Sequence, residues 1–226
     1  MAIGIGMHVQ DPSDDSMNLA MSEGGRPLYE AVKAFVTADV EPLTEEFFRL
    51  GEDRADRWSW APGQLELLDG LKAKARQKGL WNFFLPDDET GQGLSNLDYA
   101  YIAAELGRSR LASESLNCSA PDTGNMEVLE RVGTPEQKEQ WLEPLLNGEI
   151  RSCFAMTEPG LASSDAKNIA TQAVLDGDEW IINGEKYYIS GAGDPRCKIM
   201  ICMVQTSPDG PPHRRQSQIL IPMDTP

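Results

Sequence analysis

The stretch Phe154-Ala155-Met156-Thr157-Glu158-Pro159-Gly160-Leu161-Ala162-Ser163-Ser164-Asp165 marks the point at which helix-patterned sequence gives way to strand-patterned sequence. An apolar run over residues 153–156 ends at once in a threonine, an acid, Pro-Gly and two serines. A buried strand would therefore deliver backbone N–H groups and hydroxyls to one place, which suits an anion or a polar heterocycle. The same residue types also make an ordinary strand followed by a turn. The rest of the chain has to decide between these readings.

Upstream, residues 27–150 read as a helical domain. Leu28, Val32, Phe35, Val36 and Val40 recur three and four apart after Pro27, and Pro42 is expected to interrupt or kink that helix. Residues 51–60 read as connecting sequence in which Trp58 and Trp60 cover an edge of the core. A second helix fits residues 62–78, with Leu65, Leu68, Leu71 and Ala75 on one face and Gly79 as its stop. Gly91 and Gly93 lack a following Lys-Ser/Thr and read as turn residues. Ser95 and Asp98 open a third helix that runs to Gly107, and another covers residues 123–131. Thr134-Pro135-Glu136-Gln137 is the clearest helix start in the chain, a Thr cap with Pro at the first position and Gln at the third.

Downstream the period changes to that of strands. Residues 169–175 and 179–183 around Asp176-Gly177-Asp178 read as a hairpin, residues 187–190 as a third strand piece, and residues 198–205 and 218–223 as two more. The expected class is α+β: an all-α domain (27–150) followed by an antiparallel, barrel-like β domain (151–226), after an N-terminal segment (1–26) expected to be flexible.

Composition narrows the partners. The chain has 226 residues, 36 acidic against 20 basic, and a net charge of −16, which disfavours nucleic acid or an anionic membrane as partner. No apolar window is long enough to span a bilayer, residues 2–7 lack the basic flank of a secretory signal, and residues 11–16 are acidic where a mitochondrial presequence would be Arg-rich, so a cytoplasmic location is expected. Cys118, Cys153, Cys197 and Cys202 show no C-x-x-C spacing and read as reduced, buried thiols. With His8 and His213 the only histidines, a His-rich metal site or a Ser-His-Asp catalyst is disfavoured.

Taken in order, Thr157-Glu158-Pro159-Gly160, Ser163-Ser164-Asp165, the Asp176-Gly177-Asp178 hairpin, the run from Trp180 to Lys186 and the run from Tyr187 to Gly193 resemble the acyl-CoA dehydrogenase family. The segment from Gly133 to Glu149 resembles that family's N-terminal helical domain, so the likeness covers roughly residues 27–226. The resemblance implies FAD at the junction of the helical and β domains, an acyl-CoA substrate, a homo-oligomer (dimer or tetramer), an electron-transfer flavoprotein as acceptor, and a further C-terminal four-helix domain, before which this chain would be truncated. Carried over by position, Phe154, Met156 and Thr157 face the isoalloxazine ring. Ser163 and Ser164 lie near the flavin, with Ser164 also near the thioester. Tyr188 packs on the ring beside Ile189, and Ser190 places a hydroxyl beside flavin N5. A flavin wants apolar faces and a rim of hydrogen-bond donors, and these segments supply both.

Two departures stand out. The family's common T-E-P-x-A-G-S-D pattern is one residue longer here, with Ser163 where glycine is usual, and Tyr188 replaces the more frequent tryptophan. Glu158 and Asp165 read as turn and cap residues rather than as an acid/base pair. The resemblance agrees, since it places the base, a carboxylate, in the C-terminal helical domain, so no catalytic residue is expected within this chain. The implied reaction of the complete enzyme is removal of an acyl-CoA α-proton while the β-hydride passes to FAD. Alternatives on the same fold are an acyl-CoA oxidase or related flavin monooxygenase, and a non-catalytic fragment acting through subunit association. His213-Arg214-Arg215 reads as a solvated loop, with contact to a CoA phosphate as the alternative.

Overall fold

A computed structural model describes residues 19–86 and 90–226. His8 and residues 1–18 of the segment expected to be flexible lie outside the described residues. Of the remainder, Ser22 donates through its backbone N–H and its hydroxyl to the Asp98 carboxylate (2.7 and 2.9 Å), and helix α1 starts at Arg26.

The helical part comprises α1 (Arg26–Phe35), α2 (Glu41–Leu50), α3 (Gln64–Gln77), α4 (Asn96–Leu106), α5 (Ala112–Ser115), α6 (Asp122–Val132), α7 (Pro135–Gln137) and α8 (Glu143–Leu146). Pro42 does not end its helix. A π-helical turn, Val36–Val40, joins α1 to α2, and the Glu41 N–H just before the proline reaches back five residues to the Val36 carbonyl. The same device recurs at Pro144, where a π turn at Lys138–Leu142 closes with Glu143 N–H on the Lys138 carbonyl. Proline has no N–H to donate and clashes with the carbonyl four residues back, and the wider turn relieves both.

Helix ends follow the local chemistry. The Ser95 hydroxyl accepts from Asp98 N–H, and Thr134 forms a full capping box with Gln137. Thr134→Ala is expected to lower stability by about 1 kcal/mol, read from the urea midpoint. The helices bury Val32, Phe35, Leu68, Leu71, Ala75, Ile102, Leu106, Met126, Leu129 and Leu145 in one core, which also takes in Phe83 from the loop after α3 and Ile199 from the β part.

The β part is one curled sheet of β1 (Arg151–Ala155), β2 (Gln172–Asp176), β3 (Glu179–Asn183), β4 (Cys197–Gln205) and β5 (Gln216–Pro222), with β1, β2 and β5 all bonded to β4. The helices-then-sheet order holds, but the sheet is mixed rather than antiparallel. β1 runs parallel to β4 (Phe154 opposite Ile201) and β2 touches β4 in parallel at Gln205, while β2–β3 and β4–β5 are antiparallel. The long excursion between β1 and β4, which contains the hairpin, is the crossover that parallel pairing requires. β4 is correspondingly apolar on both faces, with Cys197, Ile199, Ile201, Cys202 and Val204 buried.

A second difference concerns residues 187–190, expected to be a strand. They form an irregular loop, because Tyr188 sits at φ +53° and Gly191 at φ +86°, which no ladder accepts. All four cysteines are free thiols and buried.

A seam of buried and half-buried charges joins the helical and β parts. Glu114 of α5 receives Arg196 Nη1 at 2.6 Å, Lys72 Nζ at 3.3 Å and Arg151 Nη1 at 3.5 Å. Arg151 Nε lies 2.7 Å from Asp122 Oδ2, and Arg196 pairs with Asp194 at 2.7 Å.

Candidate functional site

β1 delivers its C-terminal end to the irregular loop that follows β3, and two hydrogen bonds fasten them together. Tyr187 N–H donates to the Thr157 carbonyl (3.0 Å) while the Thr157 hydroxyl donates to the Tyr187 carbonyl (2.6 Å). The two segments singled out in the sequence, residues 154–165 and 187–193, thus meet at Thr157.

Directly beneath that contact lies Glu158, 3% exposed. Its carboxylate accepts from Ala170 N–H (2.7 Å), Thr171 N–H (2.9 Å), the Thr171 hydroxyl (2.6 Å) and Lys186 Nζ (2.8 Å). Lys186 Nζ also donates to the Met156 carbonyl at 3.0 Å. Burial alone would raise the Glu158 pKa. The Lys186 ammonium, the Thr171 hydroxyl and the two backbone N–H groups outweigh it and hold the group at about 2. A carboxylate so fully engaged is a staple between the 156–158 segment, the start of β2 and the end of the hairpin, and it has no capacity left to take a proton from a substrate. Gly184 belongs to the same staple, since a Cβ there would stand 2.3 Å from Thr171 Oγ1. Asp165, exposed, accepts from Lys167 N–H and caps a short 3-10 turn at Ala166–Asn168, the cap role its sequence position indicates.

The expected flavin residues fall into two groups. Phe154 and Met156 are half-buried along the end of β1, Ile189 packs partly buried against the small core of the sheet, and Tyr188 is 88% exposed with its ring 4.6 Å from that of Tyr187. Ser164 and Ser190 are exposed, each on one of the joined segments. Ser163 is different, being 1% exposed with its hydroxyl accepting from Glu158 N–H at 2.7 Å, so its oxygen shapes the 158–163 loop from within. Met156 and Tyr188 thus offer apolar surface, and Ser164 and Ser190 offer exposed hydroxyls, on the two segments joined at Thr157.

Sequence reasoning missed Lys186, Thr171 and Gly184. The signal for Lys186 was slight, a lysine two residues after Gly184 at the end of the hairpin. Its partner at Glu158 lies 28 residues away and no local pattern reveals it. His213, Arg214 and Arg215 lie on the connection between β4 and β5, where Arg215 Nε donates to the Gly210 carbonyl.

Comparison with known proteins identifies the family. Residues 22–149 match the family profile described as acyl-CoA dehydrogenase, N-terminal domain, and residues 153–226 match acyl-CoA dehydrogenase, middle domain. The chain belongs to the acyl-CoA dehydrogenase family, a family of FAD-dependent oxidoreductases. It is 49% identical over 211 residues to mouse acyl-CoA dehydrogenase family member 10, covering 91% of this chain and 19% of that protein. A solved structure of a putative acyl-CoA dehydrogenase from Mycobacterium abscessus superposes with a TM-score of 0.82 at 50% identity, covering 92% of this chain and 52% of the other. A glutaryl-CoA dehydrogenase from Mycobacterium smegmatis in complex with FADH2 superposes with a TM-score of 0.66 at 25% identity, covering 94% of this chain and 48% of the other. The chain therefore spans about half the length of these solved relatives and about a fifth of the mouse protein. Among the described residues no helix is long and apolar enough to cross a membrane.

Proposed function

We propose that this chain carries the flavin-facing and thioester-facing part of an acyl-CoA α,β-dehydrogenase. The observation that carries the reading is the pair of bonds between Thr157 and Tyr187, because it places the two motif-bearing segments side by side where one cofactor would touch both. The family membership supports the chemistry, and the FADH2 in the M. smegmatis relative supports the cofactor.

In this reading Phe154, Met156, Tyr188 and Ile189 supply apolar surface to the ring, Thr157 and Ser190 supply polar contacts along its edge, and Ser164 faces the thioester. Ser163 keeps the turn in shape. FAD, when bound, supplies the acceptor for the substrate's β-hydride. The α-proton needs a carboxylate that is free to accept it. Glu158 is fully engaged and Asp165 caps a turn, so the base is a group other than these two. Reduced flavin would pass its electrons to an electron-transfer flavoprotein, and the working unit would be a homo-oligomer, dimer or tetramer, located in the cytoplasm.

The test is titration of FAD into the purified chain, followed by flavin fluorescence. Saturable quenching is expected, and Ser190→Ala should weaken it roughly fivefold, the worth of one hydrogen bond. Added acyl-CoA should bind without bleaching the oxidised flavin. Absence of FAD uptake would remove the cofactor assignment, and anaerobic bleaching by acyl-CoA would show that the base lies within the chain after all.

A further inference from the structure

The loop expected to face the flavin has no ladder to hold it, yet it is pinned from outside the sheet. Its internal bonds are few: Ala192 N–H to the Ile189 carbonyl (3.3 Å) and Asp194 N–H to the Gly191 carbonyl (3.0 Å). Beyond the Thr157–Tyr187 bonds at its start and the Arg196–Asp194 pair at its end, further restraint comes from residues 54–60, more than a hundred positions earlier. Trp58 lies so close over Gly193 that a Cβ on that glycine would stand 2.0 Å from ring atom Cε3 and 2.3 Å from Cζ3. Trp60 Nε1 donates to Asp194 Oδ1 (3.2 Å), and the Arg196 guanidinium lies 4.3 Å from the Trp60 ring centroid.

The presenting turn is itself built. The Asp56 carboxylate accepts from Trp58 N–H (2.7 Å) and Ser59 N–H (2.8 Å), which fixes the backbone from which Trp58 projects. Arg54 and Arg57 flank the cleft of about 180 Å³ that remains between this turn and Gly191 and Gly193. Trp58 is nevertheless 58% exposed. The indole therefore buries less than half of its surface, and Gly193 is part of what it buries it against.

We propose that Trp58 is a positioning residue for the flavin-facing loop. By seating on Gly193 it fixes residues 188–193, and with them Tyr188 and Ser190, at the distance from Thr157 that a bound flavin needs. Gly193 is then required because only hydrogen leaves room for the indole, and the Trp58–Gly193 pair acts as a unit. The proposal rests on the flavin reading above for its consequence, whereas the clamp itself stands on the contacts just described.

The experiment uses the full chain with Trp58→Ala, Trp58→Phe, Gly193→Ala and the Trp58→Ala/Gly193→Ala double variant. Amide exchange at Ala192 and Asp194, FAD affinity and the urea midpoint are measured for each. Trp58→Ala should speed exchange at both amides and weaken FAD, each by roughly tenfold, while amides of the helical core slow or speed only as the change in urea midpoint requires. Trp58→Phe should recover most of both effects, and the double variant should be no worse than Gly193→Ala alone. Unchanged exchange at Ala192 and Asp194 in Trp58→Ala, or strictly additive effects in the double variant, would overturn the proposal. If the unmodified chain takes up no FAD, the flavin reading fails by itself, and the exchange and additivity results still decide whether Trp58 holds the loop.

Discussion

Replacing Lys186 by Met is expected to lower the unfolding free energy by about 3–5 kcal/mol, because it leaves the buried Glu158 carboxylate without its cation. Thr171 and two backbone N–H groups would remain as partners, but neutral donors compensate a buried charge only in part. Lys186, Thr171 and the two backbone N–H groups together hold the Glu158 pKa at about 2, against an ordinary 4.5, a depression worth about 3 kcal/mol at neutral pH of which Lys186 supplies a part. A depressed carboxylate contributes fully above its unfolded pKa and loses its contribution as pH falls through the native one. The stabilisation is therefore complete above about pH 4.5 and disappears toward pH 2. In Lys186→Met the native pKa moves up, so the variant should differ most from the parent near neutrality and converge with it in acid. Urea unfolding at a series of pH values reads this directly. Glu158→Gln in the Lys186→Met background should recover part of the loss, since it removes the stranded charge. A deficit that stays constant from pH 7 to pH 2 would show that lost packing of the lysine stem, and not the ion pair, is responsible.

The chemistry that was legible from sequence is the chemistry that acts over four residues or fewer. Ser95, Thr134 and Gly79 announce helix ends because their partners are close neighbours in the chain. The alternation around Asp176-Gly177 fixes β2 and β3 for the same reason. What escaped depends on distant groups. Pro42 reads as a break or kink, yet it is bridged by a π turn, as Pro144 is, because packing on either side outweighs one lost bond. Strand order is another such property, since nothing inside β1 states that it will lie parallel to β4. At the candidate site, the ordered motifs singled out two segments through family resemblance, but what joins them, the Thr157–Tyr187 bonds and the Glu158, Lys186 and Thr171 staple, is long-range. Tyr187-Tyr188-Ile189-Ser190 has good strand propensity, yet Tyr188 at φ +53° and Gly191 at φ +86° take it out of any ladder.

Glu114→Ala should prove as damaging as Lys186→Met, about 3–5 kcal/mol, and with the opposite dependence on pH. Glu114 stands in a helix of four residues that no periodicity announces, yet Lys72, Arg151 and Arg196 all converge on Oε1. With Asp122 and Asp194 the six groups balance three charges against three, and removal of Glu114 leaves a net positive charge between the helical part and the sheet. Lys72 is the member that can respond, because arginine does not deprotonate in the accessible range. Burial already lowers its pKa, against the pull of Glu114 and with the help of the nearby Arg196 charge. Without Glu114 it must fall further. A lysine whose native pKa lies below its unfolded value opposes folding while it is charged, and the penalty vanishes as pH rises from the native pKa to the unfolded one. The Glu114→Ala chain should therefore regain stability relative to the parent as pH rises from 7 toward 10, roughly the unfolded lysine pKa. Adding Lys72→Met to that background should restore part of the lost stability at pH 7 and abolish the alkaline recovery. Retention of the recovery in the double variant would place the titrating group elsewhere and remove Lys72 from the seam's account.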